Sequence, residues 1–112
     1  MSELKELTSD FLKVLVDPTR LDILQLLKDN EITQVDIHNE LGIAQSTVSQ
    51  HLKVLMNNNL IISEKKENRV KYYKIKHPEI YGLLSNINSF VVKINKEKFV
   101  DVRDLDVIDT LF

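Results

Sequence analysis

The stretch that most constrains the fold is residues 41–55, a short turn followed by a helix with two very different faces. At about 100° per residue, Val48, Leu52 and Leu55 fall on one side and predict the buried face of this helix. The opposite face carries short hydroxyl and amide side chains and one lysine, whereas a solvated face in a chain this rich in Lys and Glu would carry more charge. Such side chains suit base edges and phosphates, so the stretch predicts a helix that lies in a DNA groove.

The distribution of charge supports the same interpretation. The chain has a net charge of −2, but residues 45–77 hold seven basic and two acidic side chains, a local balance of +5. The rest of the chain therefore has a balance of −7. A basic segment within an acidic protein is typical of a surface that binds a polyanion, although a chance fluctuation in a Lys-rich composition is the alternative.

Two helices are predicted before residue 30. Apolar side chains recur every three or four positions from Leu4 and predict an amphipathic first helix over residues 3–16. Asp17 is a good N-cap and Pro18 fits the first helical position, so a second helix begins there.

A helix-turn-helix pair follows. Thr33, with Asp three residues later, resembles a capping box and predicts a third helix that ends before Gly42. The two-faced helix, residues 45–56, is the fourth, and the asparagines at 57–59 predict its end because Asn tolerates a positive φ. Ala44 precedes this helix and has no side chain that could cap it.

The periodicity changes after residue 60. Alternating apolar and polar side chains predict a β-hairpin over residues 61–76 with basic arms and a turn at Glu67 and Asn68. Pro78 then opens a last long helix, residues 79–97, with a near-heptad apolar stripe.

Short helices followed by a basic hairpin predict a winged helix-turn-helix fold, mainly α with a small β-hairpin and with five or more helices. In this arrangement the second helix of the pair enters the major groove and the hairpin, the wing, flanks it. Arg69, near the wing tip, is the best candidate for insertion into the minor groove. The side chains predicted to contact DNA are Gln45, Ser46, Thr47, Ser49, Gln50, Lys53, Lys65, Lys66, Arg69 and Lys71.

Three segments give the chain a family resemblance. They are Leu-Val-Asp-Pro-Thr-Arg-Leu-Asp-Ile-Leu-Gln-Leu-Leu (15–27), Gln-Ser-Thr-Val-Ser-Gln-His-Leu-Lys-Val-Leu (45–55) and Arg-Val-Lys-Tyr-Tyr-Lys-Ile (69–75). In this order and spacing they resemble the ArsR/SmtB family of bacterial and archaeal transcriptional repressors, over residues from about 10 to 95. The resemblance implies a homodimer that binds an imperfect palindrome over a promoter and releases it when an effector binds.

The same dimer is predicted without the family. The winged core needs only about 60 residues, and the helices 3–16 and 79–97 each keep an apolar stripe that a small domain cannot cover alone. We expect the stripes to pair across a two-fold axis, which sets two reading helices one turn of DNA apart, about 34–36 Å. The alternative is that both stripes fold back onto the core of the monomer.

The resemblance does not extend to the family's metal sites. Many members bind metals through cysteines on the helix before the reading helix, but those positions hold Thr33 and Val35, and the chain has no cysteine. A second family site would fall on His77, Glu79, Phe90 and Lys93, where only two residues are potential ligands and the lysine would repel a cation. We therefore predict no metal and no cofactor, and we expect His38, on a polar helix face, to be solvated.

Length and composition bound the remaining possibilities. With 112 residues, the chain is expected to be a single domain (1–112) in which a tail of alternating Asp and apolar residues (100–112) packs on the dimer helices as a strand or short helix. The N-terminus lacks the apolar core of a signal peptide and no run is long enough to span a membrane, so we expect a cytoplasmic protein. No phosphate-binding loop or nucleophile motif suggests an enzyme.

The predicted partners are therefore double-stranded DNA and a second copy of the chain, with no effector identified. The main alternative is a protein-interaction module on a winged-helix scaffold, because a fold does not dictate a function. An interaction surface would more often carry apolar anchors on the face that here holds Ser46, Gln50 and Lys53.

Overall fold

The computed structural model describes residues 2–99, and the predicted packing of the tail at 100–112 lies outside these residues. Within residues 2–99, five α-helices and three short strands follow one another in two compact units, one ending at Lys76 and the other beginning at His77. The elements of the first unit are α1 (Ser2–Leu15), α2 (Pro18–Leu27), β1 (Ile32–Thr33), α3 (Gln34–Leu41), α4 (Gln45–Asn57), β2 (Ile61–Lys65) and β3 (Lys71–Ile75). The second contains α5 (Ile80–Ile94) and a 3-10 turn (Lys96–Lys98).

The junction between α1 and α2 forms as the sequence predicts. Asp17 caps α2, since its Oδ1 accepts hydrogen bonds from the backbone N–H of Thr19 at 2.8 Å and of Arg20 at 3.4 Å, and Pro18 occupies the first helical position. Arg20 also reaches back to α1, where its Nε donates to the carbonyl oxygen of Val14 at 2.7 Å. The angle between the two helices is therefore fixed by polar contacts at both sides of the break.

The helix-turn-helix pair is also as predicted. Thr33 and Asp36 form a full capping box at the start of α3, and Gly42 ends that helix in the left-handed region at φ 65°. Val48, Leu52 and Leu55 of α4 are at most 1% exposed and pack into a core with α2 and α3. Four residues of α2 and α3 are fully buried as well: Ile23, Leu24, Leu27 and Ile37.

The sheet has one strand more than the sequence predicts. The hairpin of β2 and β3 was expected, but β1 adds to the other edge of β3, which gives the antiparallel order β1-β3-β2. In this sheet Ile32 pairs with Tyr73 and Thr33 pairs with Tyr72. With only two residues, β1 is too short to show a strand periodicity of its own. It nevertheless ties the segment before α3 to the wing.

The second unit is dominated by α5, which is shorter than the predicted helix 79–97. The helix ends at Ile94, where Asn95 donates its side-chain Nδ2 to the carbonyl oxygen of Val91 at 2.9 Å, and the chain continues as a 3-10 turn. Ile80, Tyr81 and Leu84 are buried. Within residues 2–99 no helix is long and apolar enough to cross a membrane.

Candidate nucleic-acid interface

The polar face of α4 stands free in solvent. Val48, Leu52 and Leu55 anchor the opposite side of the helix in the core, so the side chains between them are forced outward. Thr47 is half-buried at the edge of this face. The exposed members are Gln45, Ser46, Ser49, Gln50 and Lys53. The face therefore presents hydroxyl, amide and ammonium groups together, which can hydrogen-bond base edges and phosphates.

The start of α4 is held by α3 instead of by a cap of its own. Ala44 makes no side-chain capping bond. Gln34 donates from Nε2 to the carbonyl oxygen of Gln45 at 3.0 Å, and His38 Nδ1 lies 2.5 Å from the carbonyl oxygen of Ile43. Since a carbonyl oxygen only accepts, Nδ1 of His38 is the donor in this hydrogen bond. The expectation that His38 is solvated is wrong, because its ring is partly buried against the turn.

That Gln34 and His38 hold the start of α4 was not predicted from the sequence, although their spacing indicates that they lie together. Gln34 and His38 are four residues apart and so share one face of α3, and that face meets the turn into α4. Their hydrogen bonds go to carbonyls whose positions only the folded turn defines. The two side chains fix where the polar face of α4 begins.

The wing carries its cations at an exposed tip. The backbone N–H of Lys66 donates to the carbonyl oxygen of Val70 at 3.1 Å, and that of Arg69 donates to the carbonyl oxygen of Lys66 at 2.8 Å, which closes a tight turn around Glu67 and Asn68 as predicted. Arg69 has a φ of 61°, a left-handed conformation that a residue with a Cβ rarely adopts. The exposed cations of the wing are Lys65, Lys66, Arg69 and Lys71.

Two lysines of the wing share one anionic partner. Glu31, directly before β1, contacts Nζ of Lys66 through Oε2 at 2.5 Å and Nζ of Lys74 through Oε1 at 3.6 Å. The hydrogen bond from Lys66, together with the charges of both lysines, lowers the pKa of Glu31, and the same hydrogen bond raises the pKa of Lys66. Nζ of Lys66 also lies 5.3 Å from the ring centroid of Tyr72.

The ion pair was missed because Glu31 lies outside the basic segment 45–77. Its position follows from β1, since the pairing of Ile32 with Tyr73 brings the preceding residue, Glu31, opposite Lys74. The effective positive charge of the wing is therefore smaller than a count along the sequence suggests.

Large apolar side chains are exposed elsewhere, and within residues 2–99 none of them lies on α4. Two of the sets lie on the first and last helices, α1 and α5. On α1 the exposed members are Leu4, Leu7 and Leu12, and on α5 they are Leu83, Ile87, Phe90, Val91 and Ile94. The face of α4 thus lacks the apolar anchors expected of a protein-interaction surface, whereas α1 and α5 carry them.

Some of the positions that the resemblance assigns to metal ligands make other contacts. The hydroxyl of Thr33 accepts the backbone N–H of Asp36 in the capping box, and Val35 is exposed. His77 Nδ1 lies 3.5 Å from Oε1 of Glu79. No group of three or more His, Asp or Glu side chains spaced to hold a metal ion occurs in the part of the chain that the structure describes.

Comparison with known proteins identifies relatives by sequence. A family model described as bacterial regulatory protein, arsR family, matches residues 17–63. Over 84 residues, 75% of this chain, the sequence is 41% identical to the arsenical resistance operon repressor of Staphylococcus xylosus and covers 79% of that protein. It is 28% identical over 85 residues to the transcriptional activator HlyU of Vibrio cholerae, covering 76% of this chain and 78% of that protein.

The fold has a close counterpart among solved structures. The crystal structure of Rv0081 from Mycobacterium tuberculosis superposes with a TM-score of 0.77 at 26% identity, over 86% of this chain and 96% of that chain. The residues that match the family model run from the N-cap of α2 into β2. They therefore include the whole polar face of α4.

Proposed function

The chain belongs to the arsR family of bacterial regulatory proteins, and on that premise we propose that it represses transcription as a homodimer bound to a palindromic operator. That it is a DNA-binding transcriptional regulator follows from the family. The dimer, the operator symmetry and the contacting residues are the content of the proposal. Repression is favoured over activation because the relative at 41% identity is a repressor, whereas the activator shares 28%.

The observation that carries the proposal is the exposed polar face of α4. Gln50 stands on this face with an amide that can pair with the N6 and N7 edge of adenine in the major groove. Lys53, one turn further on, is placed for a phosphate. Gln45, Ser46, Thr47 and Ser49 complete the contacts at the first turns of the helix.

The wing supplies contacts that do not depend on base sequence. Lys65, Lys66 and Lys71 neutralise phosphates, and Arg69 at the tip reaches the minor groove. The left-handed backbone of Arg69 supports this role, because Gly would fit that position without strain and an arginine persists there at a conformational cost.

The exposed stripes on α1 and α5 supply the dimer contact. Leu7 is 61% exposed and Phe90 is 60% exposed in the single chain, which is unusual for side chains of this size on amphipathic helices. Association of two copies through these helices covers both stripes and repeats the reading helix at about 34–36 Å, one turn of DNA. Because its ligand would be promoter DNA, the proposal places the protein in the cytoplasm.

The main alternative, an interaction module that does not read DNA, is disfavoured by the absence of exposed large apolar side chains on α4. One experiment distinguishes DNA reading from protein interaction. The binding of the protein to a promoter duplex is measured at several salt concentrations. A DNA reader loses affinity steeply as salt rises, with a slope in log–log form of about −0.9 for each phosphate neutralised. Binding that is absent, or that does not depend on salt, would contradict the proposal.

A further inference from the structure

A carboxylate of this protein is already bound to Lys66, one of the lysines that the proposed function assigns to phosphates. Oε2 of Glu31 lies 2.5 Å from Nζ of Lys66, a charge-assisted contact of the same kind as a lysine makes with a phosphate oxygen. The pair is open to solvent, since the side chain of Lys66 is 43% exposed and that of Glu31 is 34% exposed. An incoming phosphate can therefore reach the ammonium without any unfolding of the sheet.

The second oxygen of Glu31 makes the exchange possible. Its Oε1 lies 3.6 Å from Nζ of Lys74 on β3, so Glu31 keeps a cationic partner when Lys66 leaves. Lysine suits such a change of partner, because its ammonium is a point charge on a flexible stem and binds no fixed geometry. The backbone of Glu31 is fixed beside β3 by the pairing of β1, which keeps the carboxylate in place throughout.

We propose that Glu31 is a positioning residue that holds Lys66 in the free protein, and that Lys66 exchanges this carboxylate for a backbone phosphate when the wing binds DNA. The inference rests on the proposed function and adds that Glu31 regulates the affinity of the protein for DNA. Part of the energy of the phosphate contact is used to break the ion pair, so Glu31 lowers the affinity for every duplex alike. Base contacts from α4 are unaffected, so the exchange reduces non-specific binding without changing sequence preference.

A double-mutant cycle tests the exchange. Glu31→Gln, Lys66→Ala and the double variant are compared with the parent for binding to a labelled duplex of random sequence across a range of salt. Lys66→Ala should flatten the salt slope by about 0.9 per subunit. Glu31→Gln should leave the slope unchanged and raise affinity about two- to fivefold per subunit, which is the range expected for one exposed ion pair.

The matched control is Glu67→Gln. Glu67 follows Lys66 in the wing turn, and its carboxylate makes no salt bridge with another described residue. It removes the same charge, so its gain in affinity measures long-range repulsion alone and should be smaller. In the Lys66→Ala background the gain from Glu31→Gln should shrink to that of the control.

Two results would overturn the exchange. A salt slope that Lys66→Ala leaves unchanged means that Lys66 stays on Glu31 in the complex. A gain from Glu31→Gln that is equal in both backgrounds means that Glu31 acts only through long-range charge. Failure of the proposed function is distinguishable from both, because the parent protein itself would then bind the duplex without salt dependence or not at all.

Discussion

Nδ1 of His38 on α3 donates a hydrogen bond to the carbonyl oxygen of Ile43, 2.5 Å away in the turn before α4. The backbone N–H of Gly42 donates to the carbonyl oxygen of the same histidine at 2.9 Å, so one residue holds the turn from both its main chain and its side chain. Ala44 makes no side-chain capping bond to the first N–H groups of α4, so the turn before this helix is held in place by contacts from α3 to its carbonyl groups instead.

We therefore expect His38→Ala to lower the free energy of unfolding by about 1 kcal/mol and to weaken DNA binding, since the carbonyl of Ile43 loses its donor. Asn places an N–H near the position of Nδ1, so His38→Asn should recover most of both losses. Chemical denaturation and duplex binding measure the two effects. Equal behaviour of the Ala and Asn variants would show that the hydrogen bond contributes nothing.

How far the sequence determines the site is clear from α4. Its two faces were predictable because Val48, Leu52 and Leu55 have helical spacing, and helical geometry alone then sends Gln50 and Lys53 to the exposed side. The caps were also predictable, because they act between residues at most four positions apart in the sequence.

Contacts that depend on strand register were not predictable. β1 is two residues long and its pairing with β3 spans about forty residues of chain, so no local pattern indicates it. The contact between Glu31 and Lys66 follows from that pairing, and it makes the wing less cationic than the composition of residues 45–77 implies. Long-range pairings of this kind escape any interpretation based on periodicity.

Asp17 should contribute to stability in a pH-dependent way. Burial opposes ionisation, but the hydrogen bonds from the backbone N–H of Thr19 and Arg20 outweigh it, and the pKa of Asp17 is held below its ordinary value of 3.8. A lowered pKa means that the stabilisation is present above that value and is lost as the pH falls through the pKa of the folded state.

Asp17→Ala is expected to lower the free energy of unfolding by about 1 kcal/mol at neutral pH, because α2 loses its cap. Asp17→Asn keeps a capping oxygen without the charge, so it should lie close to the parent and lose less stability on acidification. Thermal unfolding between neutral and strongly acidic pH measures both variants. If the Asn variant loses as much stability on acidification as the parent, Asp17 is not the group that titrates.

Arg69 offers a prediction in which stability and binding change in opposite directions. Glycine adopts a φ of 61° without strain, so Arg69→Gly should raise the free energy of unfolding by a few tenths to about 1 kcal/mol. The same variant should weaken binding to all duplexes and flatten the salt slope by about 0.9 per subunit. Lys65→Ala is the matched control, since it removes a wing cation without relieving backbone strain. Unchanged DNA affinity of Arg69→Gly would exclude Arg69 from the interface.

Gln50 should determine base preference at one position in each half-site. Removing its amide with Gln50→Ala is expected to cost about 1–3 kcal/mol of binding free energy and to relax the preference there, because a bidentate contact to a base edge is lost. Lys53→Ala should weaken binding evenly across sequences. Selection of duplexes from a random pool by each variant measures the preference. A Gln50→Ala variant that selects the same sequences as the parent would show that α4 lies in the groove in a different register.

The last prediction concerns the apolar stripe of α5. Phe90 is 60% exposed in the single chain, and if a second copy covers it, a charge placed there must be buried at the interface. Phe90→Asp should therefore shift the protein to monomers in sedimentation equilibrium and weaken operator binding, because two linked half-site contacts become independent. Ser89→Asp adds the same charge about 100° around the helix at an exposed position and should leave the dimer intact. If both variants remain dimeric and bind as the parent does, the stripe of α5 does not form the two-fold contact and the pairing of the reading helices must come from another surface.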